Sequence, residues 1–129
     1  MVTIAPSDGI VRDRNGKVSI GYGAIVSYYF PETDEVQLRR DTDKLRVDTD
    51  DLVRQMQQAN PGMRAAEQRN LQVNGYSAIV TTLNASSPFQ GETEIDQLVT
   101  VLRPEGLWYL VFISPQSESR DIASIMLRP

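Results

Sequence analysis

Glu92, Glu94 and Asp96 occupy alternate positions in a run that also carries Thr93, Ile95, Val99 and Val101. Strand side chains alternate between faces, so the three carboxylates project from one side. Placed together, they are candidates to bind calcium, or to work in pairs as acid and base. The same spacing suits the polar side of an amphipathic strand with Ile95 opposite. That reading is the stronger one, because the Asp- and Gly-rich loop that supplies carbonyls to calcium is missing. An enzyme built on paired carboxylates would need two of Glu92, Glu94, Asp96 and Glu67 within about 5–10 Å in a deep pocket. Asp41-Thr42-Asp43 and Asp48-Thr49-Asp50-Asp51 have the look of acidic metal motifs. Acidic groups also favour helix N-termini, where they meet unpaired N–H groups and the dipole, and that placement accounts for them better. Gly21-Tyr22-Gly23 lacks the lysine, the following hydroxyl residue and the strand–turn–helix setting of a phosphate loop.

The chain has neither histidine nor cysteine. This removes the common zinc and copper ligands, thiolate nucleophiles and Ser-His-Asp constellations, along with the side chain best suited to proton transfer near neutral pH. No catalytic, cofactor-binding or metal-ligating residue is assigned. The segment Ser86-Ser87-Pro88-Phe89-Gln90-Gly91 is more open to function. Ser86, Ser87, Phe89 and Gln90 form a candidate partner-binding loop, with Phe89 as its anchor. The competing reading folds Phe89 back over the core. Trp108 reads as core or sheet-face packing. Asn84-Ala85-Ser86 matches the N-glycosylation pattern, which is too short to carry weight.

The elements that must position these residues can be read from turns and periodicity. Val2–Ile4 reads as a short strand ended by Pro6 and Asp8-Gly9, and Ile10-Val11 begins another. Asn15-Gly16 marks a hairpin. From Val18 to Phe30 apolar residues recur at every second position, which predicts one long strand with one buried face; Gly21 and Gly23 mark a bulge or a close backbone approach. Leu45, Leu52, Val53, Met56 and Ala59 share a helical stripe, predicting a helix from about Asp43 to Ala59 that Asn60-Pro61-Gly62 stops. Its start is open between Asp41 or Thr42 and Thr49. Beyond Leu71 the pattern is a meander: Leu71–Val73, Tyr76–Leu83, a strand through Thr93 and Val101, and Leu107–Ile113. Asn74-Gly75 and Arg103-Pro104-Glu105-Gly106 supply turns, and Asn84–Gly91 reads as a polar loop. Leu107–Ile113 is apolar on both faces and therefore central in the sheet. Ser117 can cap a last helix carrying Ile122, Ile125 and Met126. The expected fold is α+β: an antiparallel sheet of five to seven strands flanked by helices.

The 129 residues suit a single domain, with 40% hydrophobic and 23% charged residues. The 17 acidic and 13 basic residues leave a formal charge of −4. Nucleic-acid partners are not expected, since such affinity comes largely from basic groups on phosphates. Arg39, Arg40, Lys44 and Arg46 are interleaved with Asp41, Asp43 and Asp48. No apolar run approaches the roughly 18–20 residues that span a bilayer, so direct membrane insertion is not expected. Residues 1–129 read as one domain, cut from a longer protein or free-standing.

The stretches VTIAPSDGIVRDRNGKVSIGYGAIVSYYFPE, DDLVRQMQQANPGMR and LQVNGYSAIVTTLNASSPFQGETEIDQLVTVLRPEGLWYLVFISPQSE, with the closing IASIMLRP, cover nearly the whole chain. They resemble a C-terminal accessory domain of bacterial, notably acidobacterial, zinc metallopeptidases of the HtpX and CAAX-protease-like group. NGYSAIVTTL and PEGLWYLVFISPQSE carry the resemblance most specifically. It implies a PsbP/Mog-like α-β-α sandwich, and a parent protein that is membrane-associated or exported. Zinc would belong to the parent's catalytic domain, whose HExxH motif has no counterpart here. The expected role is then non-catalytic: recognition of a protein or peptide partner, or contact with its own catalytic domain. The alternatives are a small carboxylate-pair hydrolase and a dimerisation module.

Overall fold

In the computed structural model the described residues are 2–12, 15, 16, 18–29, 41–88, 91–104 and 106–116. The elements are β1 (Val2–Ile4), a 3-10 turn at Ser7–Gly9, β2 (Ile10–Arg12), β3 (Val18–Ile20), β4 (Gly23–Tyr29), α1 (Asp41–Ala59), β5 (Arg64–Val73), β6 (Tyr76–Ser86), β7 (Thr93–Arg103) and β8 (Gly106–Pro115). One sheet has six strands in the order β1-β4-β8-β7-β6-β5, and β2 with β3 makes a separate ribbon. Every pairing is antiparallel. The fold is therefore a sheet-rich α+β arrangement, with one helix among the described residues. Among these residues no helix is long and apolar enough to cross a membrane. The expected C-terminal helix at Ser117, with Ile122, Ile125 and Met126, lies outside the described residues.

Local chemistry explains most of the boundaries. Asn74 and Gly75 take φ of 50° and 81°, the left-handed pair a tight β5–β6 hairpin needs. At the end of α1, the Asn60 side-chain amide donates to the Met56 carbonyl at 3.0 Å. Pro61 cannot continue the helical hydrogen bonding. The predicted helix therefore ends where expected, and it starts two residues earlier than Asp43.

Two expectations about strands are corrected. The single strand over 18–30 is two strands belonging to different sheets. The chain turns off the ladder at Gly21 and Tyr22, whose N–H groups donate to the Gly9 carbonyl at 2.9 and 3.3 Å. That approach needs glycine at position 9, where a Cβ would stand 2.2 Å from the Tyr22 carbonyl oxygen. The short Leu71–Val73 strand is a ten-residue edge strand starting at Arg64. Its residues are nearly all exposed, so no buried face left an alternation to read.

The meander β5-β6-β7-β8 places α1 across one face of the sheet. Leu45, Leu52 and Val53 of α1 pack with Ile79, Leu83, Leu98, Leu107, Val111 and Ile113 below. Ala24, Ala78, Val80, Val99 and Phe112 form a second buried cluster. Within each strand these residues alternate with those under α1, so they belong to the opposite face. β8 is third in the strand order and, from Val111 to Pro115, buried on both faces, while Trp108 stays exposed.

Three polar links fix α1 over the sheet. The Tyr29 hydroxyl on β4 donates to Asp51. Gln68 on β5 donates to Asp50 at 3.3 Å and to the Thr81 hydroxyl at 3.1 Å. Between them, fully buried Thr49 and Thr100 share a 2.7 Å hydrogen bond. The Thr100 hydroxyl donates onward to the Ile79 carbonyl at 3.3 Å, so Thr49 supplies the proton of the first bond.

Candidate functional site

Beneath the C-terminal end of α1 the helix and the sheet separate. The space is a cleft of about 590 Å³. One wall is apolar: Ile20, Ile25, Met56, Met63, Val111 and Ile113. Ser86, Ser87 and Pro88 form part of the rim where β6 leaves the sheet. The Ser87 amide donates to the Glu92 carbonyl at 3.1 Å and ties down the base of that loop. Asn60, Tyr109, Glu94 and Asp96 add polar groups to the lining.

The carboxylates on β7 are where the sequence reading is overturned. Glu94 and Asp96 do lie on one face, but it is the face α1 covers, shared with Leu98 and Thr100. Glu94 is 8% exposed and Asp96 only 3%. Cross-strand register explains the burial: Asp96 stands between Leu83 on β6 and Ile113 on β8, and Glu94 between Ala85 and Pro115. Glu92, just before the strand, remains exposed. Glu67 pairs with Thr82, on the face opposite Leu83, so it cannot join the two buried acids.

Burial raises the pKa of both acids. The Asp96 carboxyl is pushed up to about 9, first by desolvation, then by its hydrogen bond with Glu94 and by the Glu94 charge. Glu94 is also raised by desolvation, and the bond from Asp96 offsets part of that effect. Near pH 7 the Asp96 carboxyl therefore keeps its proton in the folded chain. Asp96 Oδ1 is buried and has no hydrogen-bond donor among the described residues. Such a pair can share a proton and accept hydrogen bonds from a cleft occupant.

The acidic run on α1 also departs from expectation. Asp48, Thr49, Asp50 and Asp51 lie in the middle of the helix and diverge. Thr49, Asp50 and Asp51 bond to three different strands as described above, and Arg54 also donates to Asp51 at 3.3 Å. Asp48 is 1% exposed, and neither of its oxygens has a hydrogen-bond partner among the described residues. Its pKa is raised by desolvation, and nearby Lys44 partly opposes this. Among the described residues no group of three acidic side chains gathers as a metal centre.

Of the candidate loop, Ser86 proves to be the last residue of β6, paired with Thr93, so the expected loop from Asn84 starts later; Ser86 and Ser87 line the cleft, while Phe89 and Gln90 lie outside the described residues. Trp108 sits on the sheet face away from α1, 38% exposed, its ring centroid 5.4 Å from that of Tyr28. Met56 and Asn60 read in the sequence as a helical-stripe position and a helix stop, and nothing in the local sequence marks them, Met63 or Tyr109 as site residues. No protein-family model matches the chain, and neither does any curated protein.

Proposed function

We propose that this chain is a non-catalytic binding domain, and that the cleft under the C-terminal end of α1 receives a segment of a polypeptide partner. The observation that carries the reading is the cleft itself: a lining that mixes apolar side chains with the polar groups of Asn60, Glu94, Asp96 and Tyr109, beside Ser86 and Ser87, which is the make-up of a recognition pocket. The resemblance to accessory domains of HtpX and CAAX-protease-like zinc peptidases supports a setting beside a catalytic domain, which supplies any zinc. The α-β-α sandwich implied by the same resemblance needs a second layer over Ala78, Val80, Val99 and Phe112. Their burial, on the face away from α1, supports such a layer.

The test is selection of peptides from an unbiased display library on the purified chain, followed by methyl NMR. Bound peptides should move the Met56 and Met63 methyl signals, and Ala85→Trp at the cleft should abolish binding while circular dichroism is unchanged. Peptides that bind but leave both methyls unmoved would place recognition elsewhere. Zinc-dependent cleavage of an unfolded substrate by the purified chain would overturn the non-catalytic reading.

One observation favours a second reading, a carboxylate hydrolase: the proton-sharing Glu94–Asp96 pair opens into the cleft. That reading requires peptide or ester turnover which Asp96→Asn eliminates.

A further inference from the structure

Glu94 and Asp96 have no basic partner within the described chain. The ion pair found there is Arg54 with Asp51, on the surface of α1. The elements bordering the pair bring apolar neighbours: Leu83 and Ala85 from β6, Ile113 and Pro115 from β8. Met56 of α1, Asn60 just beyond its end and Ser19 of β3 line the same cleft without charge, and Tyr109 is the further titratable group there. Two buried acids with an unserved acceptor among the described residues, Asp96 Oδ1, therefore line a partly apolar cleft.

We infer that the Glu94–Asp96 end of the cleft is a subsite for a basic side chain, lysine or arginine, carried by the bound polypeptide. This rests on the binding-domain reading above and names the partner's chemistry. The complementarity has two parts. A lysine or arginine stem is aliphatic and lies well against Ile25, Met56 and Val111, while its charged head needs acceptors at the end of its reach. Glu94 and Asp96 supply those acceptors in a site shielded from water, where a charge-assisted hydrogen bond is about twice as strong as a neutral one. A neutral amide or alcohol would meet the acceptors without the gain of a charge-assisted bond. The cleft, at about 590 Å³, has room for such a side chain and its flanking backbone. A cation seated there also favours the doubly ionised pair, so binding near pH 7 releases a proton to solvent.

The test uses the whole chain and three small probes: propylguanidinium, n-butylammonium and neutral propylurea. Both cations should shift the Met56 and Met63 methyl signals saturably, and propylurea should not. Calorimetry in buffers of different ionisation enthalpy should show proton release. Glu94→Gln should weaken cation binding at least tenfold with circular dichroism unchanged, and Asp96→Asn provides a second variant should the first fail to fold. Equal binding of propylurea, or cation shifts that map away from Met56 and Met63, overturns the inference. So does tight binding of magnesium or calcium that displaces the organic cations, which marks a metal site instead. Cleft-binding peptides selected without lysine or arginine sink this inference and spare the binding-domain reading. Cation binding at the cleft by a chain that selects no peptide does the reverse.

Discussion

Asp96→Asn should stabilise the protein at neutral pH, although it replaces a buried, hydrogen-bonded group. The sign follows from the two states. In the unfolded chain Asp96 ionises near 3.8, and in the folded chain near 9. Between those values the folded state binds more protons, so stability falls as pH rises across that window. At pH 7 the gap from 3.8 is about three units, which at 1.36 kcal/mol per unit makes proton uptake on folding cost about 4 kcal/mol. Asparagine has a closely similar shape, keeps an N–H donor for Glu94 and ionises in neither state. Allowing for charge shared with Glu94 and for imperfect amide geometry, the gain is about 2–4 kcal/mol near pH 7. The assay is urea unfolding between about pH 5 and pH 8, followed by Trp108 fluorescence and circular dichroism. The wild-type free energy should fall with pH by up to about 1.4 kcal/mol per unit for this proton, and the variant's slope should be shallower. The slope will not vanish, because Glu94 and Asp48 are raised as well and act with the same sign. A variant less stable than wild type near pH 8, or an unchanged slope, would show that Asp96 is ionised in the folded chain and refute the reasoning.

The other perturbations address the frame that holds the cleft. Thr49→Val removes the proton donor of the buried link to Thr100 and should cost about 1–2 kcal/mol by urea unfolding; a double-mutant cycle with Thr100→Val should show coupling. Leu98→Ala opens a cavity beneath α1 at a side chain with no exposed surface, and should cost about 2–5 kcal/mol in the same assay. Gly9→Ala drives a Cβ into the Tyr22 carbonyl, so amide hydrogen exchange should speed up at Gly21 and Tyr22 while the β6–β7 ladder keeps its protection.

Much of the scaffold was legible because the signals were local. Asn74-Gly75 demands left-handed backbone, Asn60-Pro61-Gly62 cannot extend a helix, and Leu107–Ile113 is too apolar for a sheet edge. The long helix, the central strand and most of the meander follow from such features. β5 was largely missed because exposed polar residues carry no period; its pairing with β6 makes it a strand. The strand over 18–30 was read as continuous because nothing local shows that Gly9, twelve residues earlier in the chain than Gly21, takes over the hydrogen bonding there.

The site divides along the same line. Alternation in residues 92–96 established by itself that Glu94 and Asp96 share a face, since that is a property of any extended chain. It carried no information on which face would be covered, and the ordinary preference of carboxylates for water pointed outward. Only the tertiary structure, by laying α1 over Leu98 and Thr100 and flanking Asp96 with Leu83 and Ile113, turned two surface-type residues into a buried, proton-sharing pair. Desolvation depends on neighbours remote in sequence, and for that physical reason it was decided by the fold and not by the strand.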